Sequence, residues 1–171
     1  MPLLRMAQGI AQTLQSLGAN IIGVNNSGHA DKPYFQRCVT MAAVPALAAQ
    51  VNCIINTLPL HESTRRLIDL PWLSHFREAL LINVGRGATL VTDDLQPAFA
   101  KRYLDYAVLD VFDVEPLPQD SWLWQHPQVF VSPHQAAITD VHDVMKSFTQ
   151  ALHAYELNLQ SEVFAHLDRG Y

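Results

Sequence analysis

An α/β domain built on a parallel sheet covered on both faces, the doubly wound class, is what this sequence predicts. Three observations carry the prediction. Short apolar runs rich in β-formers alternate with segments of helical periodicity. The runs are apolar throughout rather than alternating with polar residues, as strands buried on both faces require. Proline and glycine fall at the joints.

Taken in order, Leu3, Ala7, Ile10, Leu14 and Leu17 recur at helical spacing and Gly18 supplies a stop, so a helix is expected over residues 3 to 17. "NIIGV" (20 to 24) reads as a strand followed by the polar turn "NNSGHADKPY". "RCVT" is a brief strand, "VPALAAQ" a helix entered through Pro45, and "NCIINTL" (52 to 58) an apolar strand halted by Pro59. "TRRLIDLPWLSHF" reads as helical turns broken at Pro71, and "ALLINV" (79 to 84) as a strand. Thr92 and Asp93 stand in position to cap a helix in "TDDLQPAFAKR", which Pro97 complicates. "YAVLDVF" and "QVFVS" (128 to 132) complete the strands, and Ile138 to Leu159 reads as a long amphipathic helix.

The chain has 171 residues, 49% hydrophobic and 16% charged, enough for one domain with a core. The net charge is −5 and the 11 Lys and Arg are scattered, so there is no electrostatic footprint for nucleic acid or an anionic membrane surface. The uncharged stretch from Cys38 to Leu60 is divided by Pro45, Gln50, Asn52, Asn56 and Pro59, which argues against a membrane span. Cys38 and Cys53 form no Cys-x-x-Cys pair, so a reducing cytoplasm is expected. His61, His75, His126, His142, His153 and His166 show no metal-ligand spacing, and no metal is expected. Trp72, Trp122 and Trp124 read as core and loop anchors.

In open parallel sheets the ligand crevice lies outside the carboxyl ends of the strands. Three consecutive strands here end on ionisable groups: "LLINV" on Gly85-Arg86-Gly87, "YAVLDVF" on Asp113-Val114-Glu115-Pro116, and "VFVS" on Pro133-His134. If these strands are neighbours, the trio has a coherent chemistry. Arg86 offers a planar fork for a carboxylate, His134 gives or takes a proton near neutral pH, and Glu115 orients the imidazole and favours its charged form. Such a site suits a 2-oxo or 2-hydroxy acid. Singly, each residue has a structural explanation of about equal weight: a helix-end contact, a cap, a turn.

"LLINVGRGATLVTDDL", "AVLDVFDVEPLP" and "VFVSPHQAAIT" together resemble the three consecutive signature segments of the D-isomer-specific 2-hydroxyacid dehydrogenases, NAD(P)-dependent oxidoreductases. "NTLPLHEST" resembles that family's cofactor-side loop. "WLWQHPQV" and the terminal "LDRGY" resemble its glyoxylate/hydroxypyruvate reductase A branch. The resemblance implies a Rossmann-like dinucleotide-binding domain over residues 1 to 139, with 140 to 171 as the C-terminal helix and tail of a substrate domain. It implies that Arg86 orients the substrate carboxylate, His134 is the acid/base and Glu115 its partner. Asp110 would lie near the nicotinamide carboxamide, while Leu58, Pro59, Thr64, Val84 and Gly85 would line the dinucleotide. For Leu58 and Thr64, packing and capping are nearly as good an account. A small 2-oxo or 2-hydroxy acid substrate and a homodimer are implied in the same way.

The chain departs from the family at its start. Counting back from "IAQTLQSLGA", the glycines of a G-x-G-x-x-G turn would fall on Pro2, Leu4 and Ala7, and no strand precedes them. The first strand and glycine-rich loop are therefore expected to be missing, leaving two unpaired edges and a gap in the core. Burying four or so Val, Ile or Leu side chains is worth roughly 6 to 12 kcal/mol, against a net stability of ~5 to 15 kcal/mol for a domain. An N-terminal truncation, a marginal monomer without turnover and a strand exchanged between two copies are the resulting expectations. Asn25 stands where an NAD-selecting acid would be, so the cofactor is NAD or NADP with the balance slightly toward NADP, and His29 or Lys32 would approach a 2′-phosphate. A polar turn without a cofactor role has equal weight there. The alternative to an enzyme is a catalytically silent fragment that acts as a binding or assembly module.

Overall fold

The computed structural model describes residues 2–29, 32–137 and 141–159. The part of the long C-terminal helix expected at 138 to 140, and the terminal "LDRGY", lie outside them. The fold is α/β and Rossmann-like, as the sequence predicts. Helix α1 (Pro2–Ser16) leads to β1 (Ile22–Val24) and β2 (Arg37–Val39). Strand β3 (Cys53–Asn56), α2 (Leu70–Leu73), β4 (Ala79–Asn83), α3 (Leu95–Ala100), β5 (Leu104–Leu109), β6 (Val129–Val131) and α4 (Val141–Glu156) follow.

Every strand pairing is parallel, but the strands form two sheets: β1 with β2, and the four strands β3, β4, β5 and β6 in that spatial order. A cleft lies between β1 and β3. The core lies around the four-stranded sheet, where Leu81, Leu104 and Leu109 meet Leu73 and Phe76 of the α2 region, Leu95 and Phe99 of α3, and Leu123. These are large, buried aliphatic and aromatic side chains, the main favourable contribution to folding.

Gly18 ends α1 with φ of +89°, as expected, and the Ala19 and Gly18 amides return to the carbonyls of Leu14 and Gln15. Elsewhere the local prediction needs correction. "VPALAAQ" is two 3-10 pieces, Met41–Ala46 and Ala48–Gln50, rather than an α-helix: Pro45 has no N–H to donate, and the amides of Leu47, Gln50 and Val51 bond three residues back, to Val44, Leu47 and Ala48. Pro71 does not break a helix. It lies in the first turn of α2, where its missing N–H costs nothing, and Asp69 caps that turn by accepting from the Trp72 amide. Thr92 and Asp93 make no side-chain cap. The neighbouring Asp94 instead accepts from the Leu70 amide, tying the start of α3 to the start of α2. Pro97 is tolerated because the first amides of a helix have no partner within it.

Candidate functional site

Strands β4, β5 and β6 are adjacent, so the three strand ends singled out in the sequence emerge side by side. A hollow of about 340 Å³ lies there, lined among others by Leu60, Arg65, Arg86, Phe112, Glu115 and His134. The guanidinium, the carboxylate and the imidazole thus share one cavity.

Arg86 is exposed between two buried glycines. Gly87 has no room for a side chain, since a Cβ would stand 1.9 Å from the Phe112 carbonyl carbon. This contact sets the loop after β4 directly against the loop after β5. One guanidinium nitrogen of Arg86 donates to the Gly85 carbonyl at 2.8 Å, leaving the rest of the fork for a ligand. Behind it runs a buried polar chain. Asn56 and Asn83 end β3 and β4 in the same register, and Asn56 Nδ2 donates to Asn83 Oδ1 at 2.8 Å and to Thr89 Oγ1 at 2.7 Å. Thr89 Oγ1 in turn donates to the Arg86 carbonyl at 2.6 Å. The Arg86 turn is therefore fixed from two strands.

Glu115 Oε2 lies 2.8 Å from His134 Nδ1, and Oε1 accepts from the Phe112 amide at 2.9 Å. Burial by itself would raise the Glu115 pKa. The His134 hydrogen bond, the Phe112 amide and the charges of His134 and Arg86 outweigh it and hold the carboxyl below its ordinary value. With Nδ1 engaged by Glu115, Nε2 is the nitrogen left for a substrate.

His134 sits in the left-handed region, with φ of +51°. Asp110 holds the turn that imposes this. It is only 3% exposed, and it accepts from Ser132 Oγ, from the Gln135 amide at 2.9 Å and from the Ala136 amide at 2.8 Å. Burial pushes its pKa up, but these donors and the nearby His134 charge prevail and the carboxyl stays below the usual range. The family resemblance gives Asp110 to the cofactor. The structure adds a task that the sequence does not suggest, positioning the imidazole. Asp113 is an exposed turn residue.

The remaining residues predicted to face a dinucleotide lie at the ends of β1, β3 and β4. The Leu58 amide donates to Asn56 Oδ1, and the Val84 amide continues the ladder to the Asn56 carbonyl. Gly85 approaches Leu58 so closely that a Cβ would meet its carbonyl oxygen at 2.7 Å. Thr64 Oγ1 donates to the Pro59 carbonyl at 2.6 Å and accepts from the His61 amide, which closes the loop between them. Asn25 folds back on its own turn, its Nδ2 donating to the His29 carbonyl and its Oδ1 accepting from the Gly28 amide. Leu60 of the loop after β3 and Arg86 and Gly87 of the loop after β4 line the hollow. The positions at which a glycine turn would receive a dinucleotide's pyrophosphate hold Pro2, Leu4 and Ala7.

Sequence reasoning missed Arg65, which lines the hollow as a second cation, because nothing distinguishes it from Arg66 in "TRRL". It also missed Asn56, Asn83 and Thr89. The signal was an asparagine closing each of two apolar runs, a costly residue at a buried strand end unless hydrogen-bonded.

Residues 4–136 match the family described as D-isomer specific 2-hydroxyacid dehydrogenase, NAD binding domain. A glyoxylate/hydroxypyruvate reductase A of Citrobacter koseri is 37% identical over 126 residues, covering 73% of this chain and 36% of that protein. The crystal structure of a D-isomer specific 2-hydroxyacid dehydrogenase from Xanthobacter autotrophicus Py2, in complex with NADPH and MES, superposes with a TM-score of 0.81 at 29% identity over 90% of this chain and 64% of that one. The NADPH-dependent glyoxylate/hydroxypyruvate reductase of Sinorhizobium meliloti, solved with NADP and sulfate, gives 0.83 at 27% identity over 96% of this chain and 53% of that one. The chain thus spans between about a third and two thirds of the length of each.

Proposed function

The chain belongs to the D-isomer specific 2-hydroxyacid dehydrogenases, through their NAD binding domain, and from that premise we propose that it serves the NAD(P)-dependent reduction of a small 2-oxo acid of the glyoxylate or hydroxypyruvate type to the D-2-hydroxy acid. The observation that carries this reading is the 2.8 Å pair of Glu115 and His134 in a hollow shared with Arg86. NADP is the better match, since Asn25 places no negative charge where a 2′-phosphate would lie.

Bound nicotinamide supplies the hydride. The chain's own residues manage the acid and the proton. Arg86 takes the substrate carboxylate in its fork and sets a fixed positive charge beside the C2 oxygen, which stabilises the charge that develops there. His134 Nε2 delivers the proton to that oxygen, and Glu115 holds the ring and stabilises the imidazolium before transfer. Asp110 keeps the turn in place. Leu58, Pro59, Thr64, Val84 and Gly85 line the dinucleotide in this reading, and 141–156 belongs to a substrate domain, its apolar Val141, Met145 and Phe148 being exposed here. A cytoplasmic homodimer completes the proposal; the free thiols of Cys38 and Cys53 fit a reducing compartment.

A second reading, a catalytically silent binding or assembly module, is favoured by Pro2, Leu4 and Ala7 at the glycine positions. NADPH titrated into the chain and followed by tryptophan fluorescence separates the two. The enzyme reading expects a saturable change and, wherever hydroxypyruvate-dependent NADPH oxidation is measured, a fall of ~10²- to 10⁴-fold on His134→Gln. No binding at millimolar NADPH, or oxidation indifferent to that substitution, sinks it.

A further inference from the structure

The hollow at the ends of β4, β5 and β6 is lined by five ionisable residues, Arg65, Arg86, Asp113, Glu115 and His134. Three of them have a task in the reading above. Glu115 and His134 hold each other at 2.8 Å, and Arg86 is the fork for a carboxylate. Two remain, one of each sign. The side chains of Arg65 and Asp113 form no hydrogen bond or ion pair with each other or with another described residue.

The main chain fixes where these two stand. Strands β3 and β5 flank β4 in the sheet, so the loops that follow them reach the Arg86 loop from opposite sides. On the β3 side the Arg65 amide donates to the His61 carbonyl at 2.9 Å. The next amide, of Arg66, donates to the Ala88 carbonyl at 2.8 Å, and Arg66 turns the chain there with φ of +54°. On the β5 side, a Cβ on Gly87 would stand 2.5 Å from the Asp113 amide nitrogen. A cation and an acid thus bracket the Arg86 turn.

C2 of a 2-oxo acid is trigonal, with three substituents in one plane. With C1 as the carboxylate on Arg86 and the C2 oxygen facing His134 Nε2, the third substituent, C3, is the one without a partner. A methyl group there gains nothing from either charge. A second carboxylate meets Arg65 but is repelled by Asp113. A hydroxyl accepts from a guanidinium and donates to a carboxylate at once.

We propose that Arg65 and Asp113 are specificity-determining residues that hold the C3 hydroxyl of the substrate between them, so that the site selects a 3-hydroxy-2-oxo acid, hydroxypyruvate being the smallest, over pyruvate and 2-oxo diacids. The inference rests on the dehydrogenase reading. A site that encloses such a pair rejects the analogue lacking the hydroxyl by ~10⁴-fold or more. Both side chains here are exposed and regain water when the hydroxyl is absent, so a factor of about ten is expected.

The test assays the whole chain with NADPH against hydroxypyruvate and pyruvate, which differ by one hydroxyl, and against oxaloacetate. kcat/KM should favour hydroxypyruvate over pyruvate about tenfold, and Arg65→Met should bring that ratio close to one. General damage to the fold lowers both substrates alike and leaves the ratio where it was. Asp113→Asn should raise oxaloacetate relative to hydroxypyruvate by about threefold or more, because the repulsion is gone. A second readout needs no turnover. With NADP added, D-glycerate should shift the His134 ring signals in NMR at about tenfold lower concentration than D-lactate, and at an equal concentration in Arg65→Met. Wild-type ratios near one, or ratios that neither substitution moves, overturn this inference and leave the dehydrogenase reading standing. Absence of both turnover and saturable binding of either hydroxy acid overturns that reading and this inference with it.

Discussion

Replacing Asp110 by Asn keeps the size and shape of the side chain and removes the charge that three donors converge on: Ser132 Oγ and the amides of Gln135 and Ala136. Hydrogen bonds to a charged group are worth ~1.5 to 3 kcal/mol each. The full sum is not expected, because the donors lie on an exposed turn where water replaces the carboxylate, and Asn retains one acceptor oxygen. A loss of about 2 to 4 kcal/mol follows, or roughly 5 to 15 °C in Tm for a chain of this size. The pH dependence is more diagnostic than the magnitude. The folded pKa of Asp110 is depressed, so its contribution is present above the unfolded value of ~3.9 and is lost as pH falls through the lower, folded value. Thermal unfolding of both proteins followed from pH 7 downward should therefore show a gap that is constant near neutrality and closes below about pH 4. A gap that is absent at pH 7, or that persists undiminished to the lowest pH at which both proteins fold, would refute the role assigned to Asp110.

Glu115 makes a parallel case. Its carboxyl, followed by carbon NMR, should titrate below the ordinary carboxylate range, and in His134→Phe it should rise, because burial remains while the largest opposing influence is gone and only the Phe112 amide and the Arg86 charge still lower it. Gly87→Ala places a methyl 1.9 Å from the Phe112 carbonyl carbon, so the two loops must separate. A loss of about 3 kcal/mol or more in chemical denaturation is expected, and a full-stability variant would contradict the close approach. Leu81→Ala and Leu104→Ala, at fully enclosed positions, should each cost about 2 to 5 kcal/mol in the same measurement. Arg86→Lys keeps the charge and loses the fork; if carboxylate capture is bidentate, KM for the 2-oxo acid should rise about tenfold or more in steady-state assays, with stability unchanged.

Most of the sheet could be read along the chain. The runs that became β3, β4, β5 and β6 are apolar on both faces over four to eight residues, and that pattern depends only on neighbours in sequence. The ionisable residues that end three of them were legible as a trio: singly each has an ordinary structural use, but an arginine, a carboxylate and a histidine closing consecutive strands share one chemistry. Short helical pieces were less legible. Whether "VPALAAQ" forms α or 3-10 turns, and whether Pro71 breaks or begins a helix, turns on single hydrogen bonds that periodicity does not report.

By itself, then, the sequence determined the class of fold, the places of its strands, and the arginine, glutamate and histidine that end them. Tertiary structure alone decided which groups hold those residues: Asn56 meets Asn83 and Thr89, and Asp110 meets the 132–136 turn, across separations of 22 to 33 residues. It also decided that the strands divide into two sheets with an apolar cleft between them. Hydrophobic patterning is a local property, since burial follows from a residue's own face of its own element. Hydrogen-bond partnership depends on the register between distant strands, and no single stretch of chain contains it.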